Sequence, residues 1–298
     1  MRQGELGMRY RLLLTITLLG LLASCDYYNK FFYPTPDIKF APSAAAYQSK
    51  PDFAQLEYQY PLTPADLKKI TPQNVAMLDQ EQVDQIYARI SAGPIPDGAF
   101  EGNLFFPKGS SGKLRAAEIV GGLSGLAVNL KGKKLDMIGE ALWKGKVFYR
   151  DKKILRNRIE DLAILAPVID GNLSDIPKIT VHGRDAWLLF PAKLYCGQSL
   201  LDGRRESIVI DYAYTDEIEG YREKPDFLAG RRGFLVRDEI RMIRPGFYLG
   251  RAYLNRMFAL NFILYNKEIA ERDNDAFLKT GKIAEDCWIG TQQRLATN

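Results

Sequence analysis

The sequence predicts a mainly β domain of the α+β class, an antiparallel β-barrel or sandwich with a short helical N-terminal region and one inserted helix. Three observations predict it. Beyond Pro96 the apolar spacing changes from helical to short β-like segments separated by Gly, Asp and Asn. Several of these segments alternate, as in Ile208-Val209-Ile210-Asp211-Tyr212 and in Val236 to Met242. Hydrophobic residues make up 46% of the 298, which is enough for one large core or two modest ones and too much for a disordered chain.

At the N-terminus, Arg9 and Arg11 precede an apolar run from Leu12 to Leu22. That run has the length of a signal-peptide core and is too short to span a bilayer. Met8 directly precedes the basic pair, so Met1 and Met8 are both open as the start. The run ends in Leu22-Ala23-Ser24-Cys25, which resembles the bacterial lipobox. The resemblance implies a lipoprotein signal peptide over 1–24, a diacylglycerol on the Cys25 sulfur, cleavage before Cys25 and acylation of the new N-terminus by a palmitate-type chain. It further implies a domain facing the periplasm, with the membrane as partner through the lipid anchor. Asp26 stands where enterobacterial lipoproteins carry an inner-membrane retention signal. That rule varies between bacteria, so inner and outer membrane both stay open. Removing 1–24, with Arg2, Arg9, Arg11 and Glu5, lowers the net charge from +5 to +3.

The next stretch, 25–62, reads as a lipidated tether, with prolines at 34, 36, 42, 51 and 61 and small residues from Ser43 to Ala46. Its aromatic residues Tyr27, Tyr28, Phe31, Phe32 and Tyr33 suit either the headgroup level of the membrane or a strap on the domain. Short helices follow over 63–93. Thr63-Pro64 and Thr71-Pro72 each place a capping hydroxyl before a proline at the first helical position. Asp79 with Gln82 forms a capping-box pattern ahead of Val83, Ile86, Tyr87 and Ile90, and Gly93-Pro94 stops that helix.

The antiparallel β domain is expected over 94–298. Its strand candidates are Ala99 to Phe106, Lys146 to Arg150, Ile176 to Val181, Ala186 to Phe190, Ser207 to Tyr214, Phe234 to Ile243, Phe247 to Leu254 and Met257 to Tyr265. The inserted helix is expected over Lys131 to Trp143, where Leu135, Ile138, Ala141 and Leu142 recur at helical spacing. Trp143 to Tyr149 and Ile210 to Tyr214 resemble lipocalin-type barrels, in which a tryptophan near a strand start closes one end and an Asp-Tyr strand comes later. Here Ala141 replaces the glycine expected before the tryptophan, and the order of the remaining elements does not match.

The composition excludes several functions. Basic residues exceed acidic ones by only 41 to 36, with no Lys/Arg run, so nucleic acid is not an expected partner. With one histidine, His182, and three cysteines, no metal and no cofactor is expected. Neither Ser124 nor Ser199 has the glycine two places on that a nucleophile elbow requires. His182 falls in a hairpin-turn sequence, Val181-His182-Gly183, which suits an exposed structural histidine. Once Cys25 is lipidated, Cys196 and Cys287 remain in an oxidising compartment. A disulfide between them is expected, against the alternative of two unrelated buried thiols.

The candidate site is polar. On a strand, Arg237, Glu239 and Arg241 share one face, while Asp238 shares the other with Val236, Ile240 and Met242. Asp211 interrupts the apolar alternation around it and is expected, with Asp238, to face the barrel. Arg241, close to Pro245-Gly246, is expected at the barrel mouth. Trp143, Asp211, Tyr212, Arg237, Glu239, Arg241 and Tyr248 are therefore the candidate ligand-binding residues, with no catalytic residue assigned. The leading functional expectation is a membrane-anchored envelope lipoprotein binding an apolar or lipid-like ligand in its barrel. The alternatives are an assembly or scaffold lipoprotein with a protein partner, and an acid-base enzyme acting on a lipid or ester through Asp211, Asp238 or Glu239.

Because the acyl transfer needs the Cys25 sulfur, Cys25→Ser should abolish incorporation of a clickable fatty acid in cells. Label persisting in that variant would sink the lipobox assignment.

Overall fold

Among the described residues, nine strands form one antiparallel sheet that closes on itself, because the third strand pairs with both the second and the fifth. The computed structural model describes residues 33–42, 52–105, 143–163, 165 and 169–290. Cys25 and the signal peptide, Ser124, and the expected inserted helix up to Leu142 lie outside these residues. The strands are β1 (Gly98–Phe105), β2 (Trp143–Tyr149), β3 (Ile154–Ile159), β4 (Lys178–Val181), β5 (Arg184–Gln198), β6 (Glu206–Asp211), β7 (Val236–Arg244), β8 (Phe247–Leu254) and β9 (Met257–Tyr265). Eight of them close the barrel, and β4 extends the first half of β5 as a hairpin. Trp143, expected at the end of a helix, instead opens β2.

The closure depends on the length of β5. Its first half pairs with β3 and β4, and its second half crosses to β6. The bend falls at Phe190-Pro191. There Phe190 takes φ +50°, Pro191 has no N–H to give a ladder, and the β3 register shifts between Leu155 and Asn157. The sequence-based expectation, Ala186 to Phe190, stopped this strand short of Gln198. It also missed β3, since Arg156, Asn157 and Arg158 break the apolar alternation between Ile154 and Ile159.

The helices are α1 (Phe53–Gln59), α2 (Pro64–Lys69), α3 (Pro72–Val75), α4 (Gln80–Arg89), α5 (Glu223–Asp226) and α6 (Lys267–Thr280). Thr63, Thr71 and Asp79 all cap as their sequence patterns predict, each in a reciprocal capping box with Asp66, Asn74 and Gln82 respectively. The expectation of an extended tether up to Leu62 is corrected. Asp52 caps α1 by accepting from the Ala54 and Gln55 amides, and α1 packs Phe53 and Leu56 against Ala88. Residues 33–42 form a strap on α4: Gln85 exchanges two hydrogen bonds with the Ala41 backbone, and Arg89 donates to the Lys39 and Tyr60 carbonyls. The C-terminal helix α6 was not anticipated, because only Ala270 and Phe277 of its fourteen residues are buried.

Among the described residues, the two largest apolar clusters lie on either side of the barrel wall. Phe100, Phe148, Leu155, Leu194, Ile210, Ile240, Tyr248 and Phe262 fill the barrel. Outside the wall, Val83, Ile86, Tyr87 and Ile90 of α4 pack on Phe105, Ile243, Phe247, Leu249 and Ile263. Strands β7 and β8 are thus buried on both faces.

The tail after α6 closes one end of the barrel. Cys287 enters the barrel core, and the Cys196 and Cys287 sulfurs are 2.10 Å apart, with Cα atoms separated by 5.3 Å, as a disulfide. Trp288 and Glu206 exchange backbone and carboxylate hydrogen bonds, while Asp286 accepts from Ile95 and Arg150. The bridge spans 91 residues, so removing both cysteines as alanine should lower unfolding free energy by roughly 3 to 5 kcal/mol, mainly by freeing the unfolded chain. Non-reducing peptide mapping and a urea titration check this. Two freely alkylatable thiols in the purified, unreduced protein would refute it.

Candidate functional site

Inside the barrel, alternation places one ammonium among aromatic rings. Lys146 of β2 is 2% exposed and has Trp143, Tyr212 and Phe262 ring centroids at 5.3, 5.3 and 5.5 Å. Its Nζ donates to Asn157 Oδ1 at 2.9 Å, Tyr212 OH at 2.6 Å and Asp238 Oδ2 at 3.0 Å. Those three bonds use all the donors an ammonium has. Trp143 Nε1 donates to the same Asn157 oxygen at 2.8 Å, and Asn157 Nδ2 donates to the Phe190 carbonyl.

The electrostatics follow from that enclosure. Burial alone would lower the Lys146 pKa, but the Asp238 charge and the bonds to Tyr212 and Asp238 outweigh it and hold the ammonium above its ordinary value. Burial pushes the Tyr212 phenol up to about 12, with Lys146 opposing. A permanently protonated, fully bonded lysine is no nucleophile or base at neutral pH, so the cluster braces the barrel.

The structure separates the other predicted site residues. As expected, Asp238 faces inward with Ile240 and Met242, while Arg237, Glu239 and Arg241 face outward. Asp211 was expected to face the barrel and does not. Ile208, Ile210 and Tyr212 take the inward positions, leaving Asp211 on the outer face, where it accepts from Tyr195 OH at 2.7 Å and Ala213 N at 2.8 Å. Glu239 receives the Leu200 amide and Arg237.

Arg241 is not at a barrel mouth. It is fully buried beneath α4, and its guanidinium donates to Ser207 Oγ, Asp202 Oδ2 and the carbonyls of Tyr87, Asp202 and Arg205 at 2.9–3.0 Å. All its donors are used in tying helix to wall. Asp202 is correspondingly held below the usual carboxylate range; burial opposes this, but Arg204 and Arg241 prevail. Tyr248 points inward and donates to the Pro94 carbonyl at 2.7 Å. His182 is an exposed hairpin residue, as expected, with φ +51° beside Gly183 and Nδ1 3.0 Å from Glu101 Oε1.

The open concavity lies on the outer wall. A cleft of about 440 Å³ runs between the N-terminal turn of α3 and strands β1, β3 and β9. Arg158, Glu160, Arg184, Glu101, Lys144 and Arg244 supply its charged lining. Sequence reasoning missed these residues because β3 was not recognised and they come from five separate segments. Lys146 did carry a signal, a charge sharing the alternating face of Phe148.

No protein-family model and no curated protein matches the chain. Among solved structures, the crystal structure of a protein from Thermomonospora curvata is similar, with 15% identity and a TM-score of 0.31, covering 64% of this chain and 89% of that one.

Lys146→Met should destabilise the fold by about 3 to 5 kcal/mol, because it leaves Asp238 buried without its partner, and adding Asp238→Leu should recover much of the loss. Above pH 10 the unfolded chain releases protons from lysine and tyrosine before the native state does, since both native values are raised. Wild-type stability should therefore hold up to about pH 10 and fall as pH rises through the folded values. The lysine part of that decline should vanish in Lys146→Met, as followed by circular dichroism in urea at each pH.

Proposed function

We propose that the protein is a lipid-anchored envelope protein facing the periplasm, whose packed barrel is a rigid platform and whose outer cleft binds a small polar ligand. One observation carries the cleft reading: the barrel interior is occupied by its own side chains, whereas the outer wall bears an open concavity of ligand size. The filling is tight. A Cβ placed on Gly102 would stand 2.3 Å from the Trp143 ring, and one on Gly250 would stand 2.2 Å from Phe262. Trp143 and Phe262, Phe100 and Phe148, and Phe100 and Tyr248 pack edge to face across the interior. An acyl chain in the barrel would have to displace these rings and the Lys146 cluster, so the ligand of this reading is polar and outside.

The anchor reading rests on Arg9, Arg11, the apolar run and Leu22-Ala23-Ser24-Cys25, and the Cys196–Cys287 bridge suits an oxidising compartment. None of the described helices is long and apolar enough to cross a membrane. The strap over 33–42 leads from the anchor side onto α4, so the domain is held by its helical layer.

Native mass spectrometry of full-length protein extracted from membranes tests the reading against Gln73→Trp, an exposed rim position of the cleft. The expected result is a small polar adduct in wild type that is lost in the variant. A fatty-acyl adduct retained by Gln73→Trp would return the ligand to the barrel. A stoichiometric protein partner with no small molecule would favour a scaffold.

A further inference from the structure

The cleft holds a buried guanidinium with one donor to spare. Arg158 lines it from β3 and is 1% exposed. Its Nη1 donates to the Phe100 carbonyl and its Nη2 to Glu160 Oε1, both at 3.3 Å, while Nε is buried with no partner. A buried donor left without an acceptor is costly, and native structures leave few of them. Arg244, 9% exposed, lines the same cleft and donates to the Leu67 and Ile70 carbonyls, which are neutral. Among the described residues no carboxylate lies within ion-pair distance of it.

The carboxylates of the cleft are each shared. Arg184 stands exposed at the rim, 3.3 Å from Glu160 and 3.8 Å from Glu101. Glu160 is therefore shared between Arg158 and Arg184. Glu101 is shared between Arg184 and His182. Three arginines, Arg158, Arg184 and Arg244, thus line the cleft beside Glu101 and Glu160. Burial lowers both Arg158 and Arg244 from the ordinary arginine value, opposed by Glu160 in the first and by Tyr265 in the second.

Resting on the cleft reading above, we propose that the ligand presents an oxyanion, a carboxylate or phosphate, which the Nε–Nη2 edge of Arg158 receives with Arg184 closing over it. A guanidinium edge matches two oxygens of such a group, and the unpartnered Nε is the donor left over for it. Arg244 contributes charge from the opposite wall without giving up its carbonyl bonds. The same group can come from a free small molecule or from the headgroup of an anionic phospholipid in the membrane that holds the anchor.

Titration calorimetry on full-length protein in neutral detergent distinguishes the sources with three probes: inorganic phosphate, glutarate and glycerophosphoglycerol. Saturable binding of phosphate or glutarate supports a free ligand, and binding of glycerophosphoglycerol alone supports a headgroup. In either case Arg184→Ala, whose side chain is exposed, should weaken binding roughly tenfold or more with an unchanged melting temperature. Arg158→Lys, which keeps the charge and loses the fork, should do the same. If none of the probes saturates at millimolar concentration, or if both variants bind like wild type, the oxyanion proposal is overturned. A native adduct displaced by Gln73→Trp, with no binding of any probe, removes the oxyanion and leaves the cleft. Probe binding unchanged by Gln73→Trp removes both.

Discussion

Eight strands closed into a barrel enclose a space only wide enough for side chains, and the rest of this structure follows from how that space is filled. The inward positions of β1, β6, β7 and β9 are largely aromatic or branched aliphatic, and they meet across the axis. The polar exceptions are Lys146 of β2 with Asn157 and Asp238 around it, and the ammonium persists because each donor has a partner and rings stand beside it. A charge so placed contributes little net stability against an apolar replacement, but it penalises any register in which Asp238, Tyr212 and Asn157 do not converge. The interior is thereby committed to structure.

The second layer repeats the logic outside the wall. The helices α2 to α4 cover β7, β8, β9 and β1 with an apolar core, and within that interface buried guanidinium groups set the alignment. Arg241 joins β7 to α4 and to the turn at Asp202, while Arg251 joins β8 to Asp84 of α4. Arg251 lies with its guanidinium over the Phe258 ring and against Tyr253 OH. These arginines have many directional donors, so only one placement of the helices satisfies them. Of the polar row on β7 that stands out in the sequence, Arg241 belongs to this fastening.

The cleft begins where that fastening stops. There Arg158, on the outer face of β3, donates to the Phe100 carbonyl and to Glu160. Arg156, two residues earlier on the same face, shows the contrast. It donates to the Glu219 and Gly220 carbonyls of the loop packed beside it, while Arg158 keeps an unused donor.

Local chemistry in the sequence was sufficient for the caps at Thr63, Thr71 and Asp79, seven of the strands within a few residues, the face assignment of Arg237 to Met242, and the pairing of Cys196 with Cys287. Each depends on neighbours a few positions away or on a count, so no knowledge of packing is needed. Tertiary structure alone decided that Pro191 bends a strand and does not end it, that Ile154–Ile159 is a strand in spite of its polar centre, and that Asp211 turns outward while Lys146 turns in. It also decided that Arg241 is a brace and Arg158 a cleft residue. Both are arginines on outward strand positions, and whether such a side chain is consumed or left available depends on what the chain places over it from more than a hundred residues away for Arg241 and α4, a distance at which sequence spacing carries no signal.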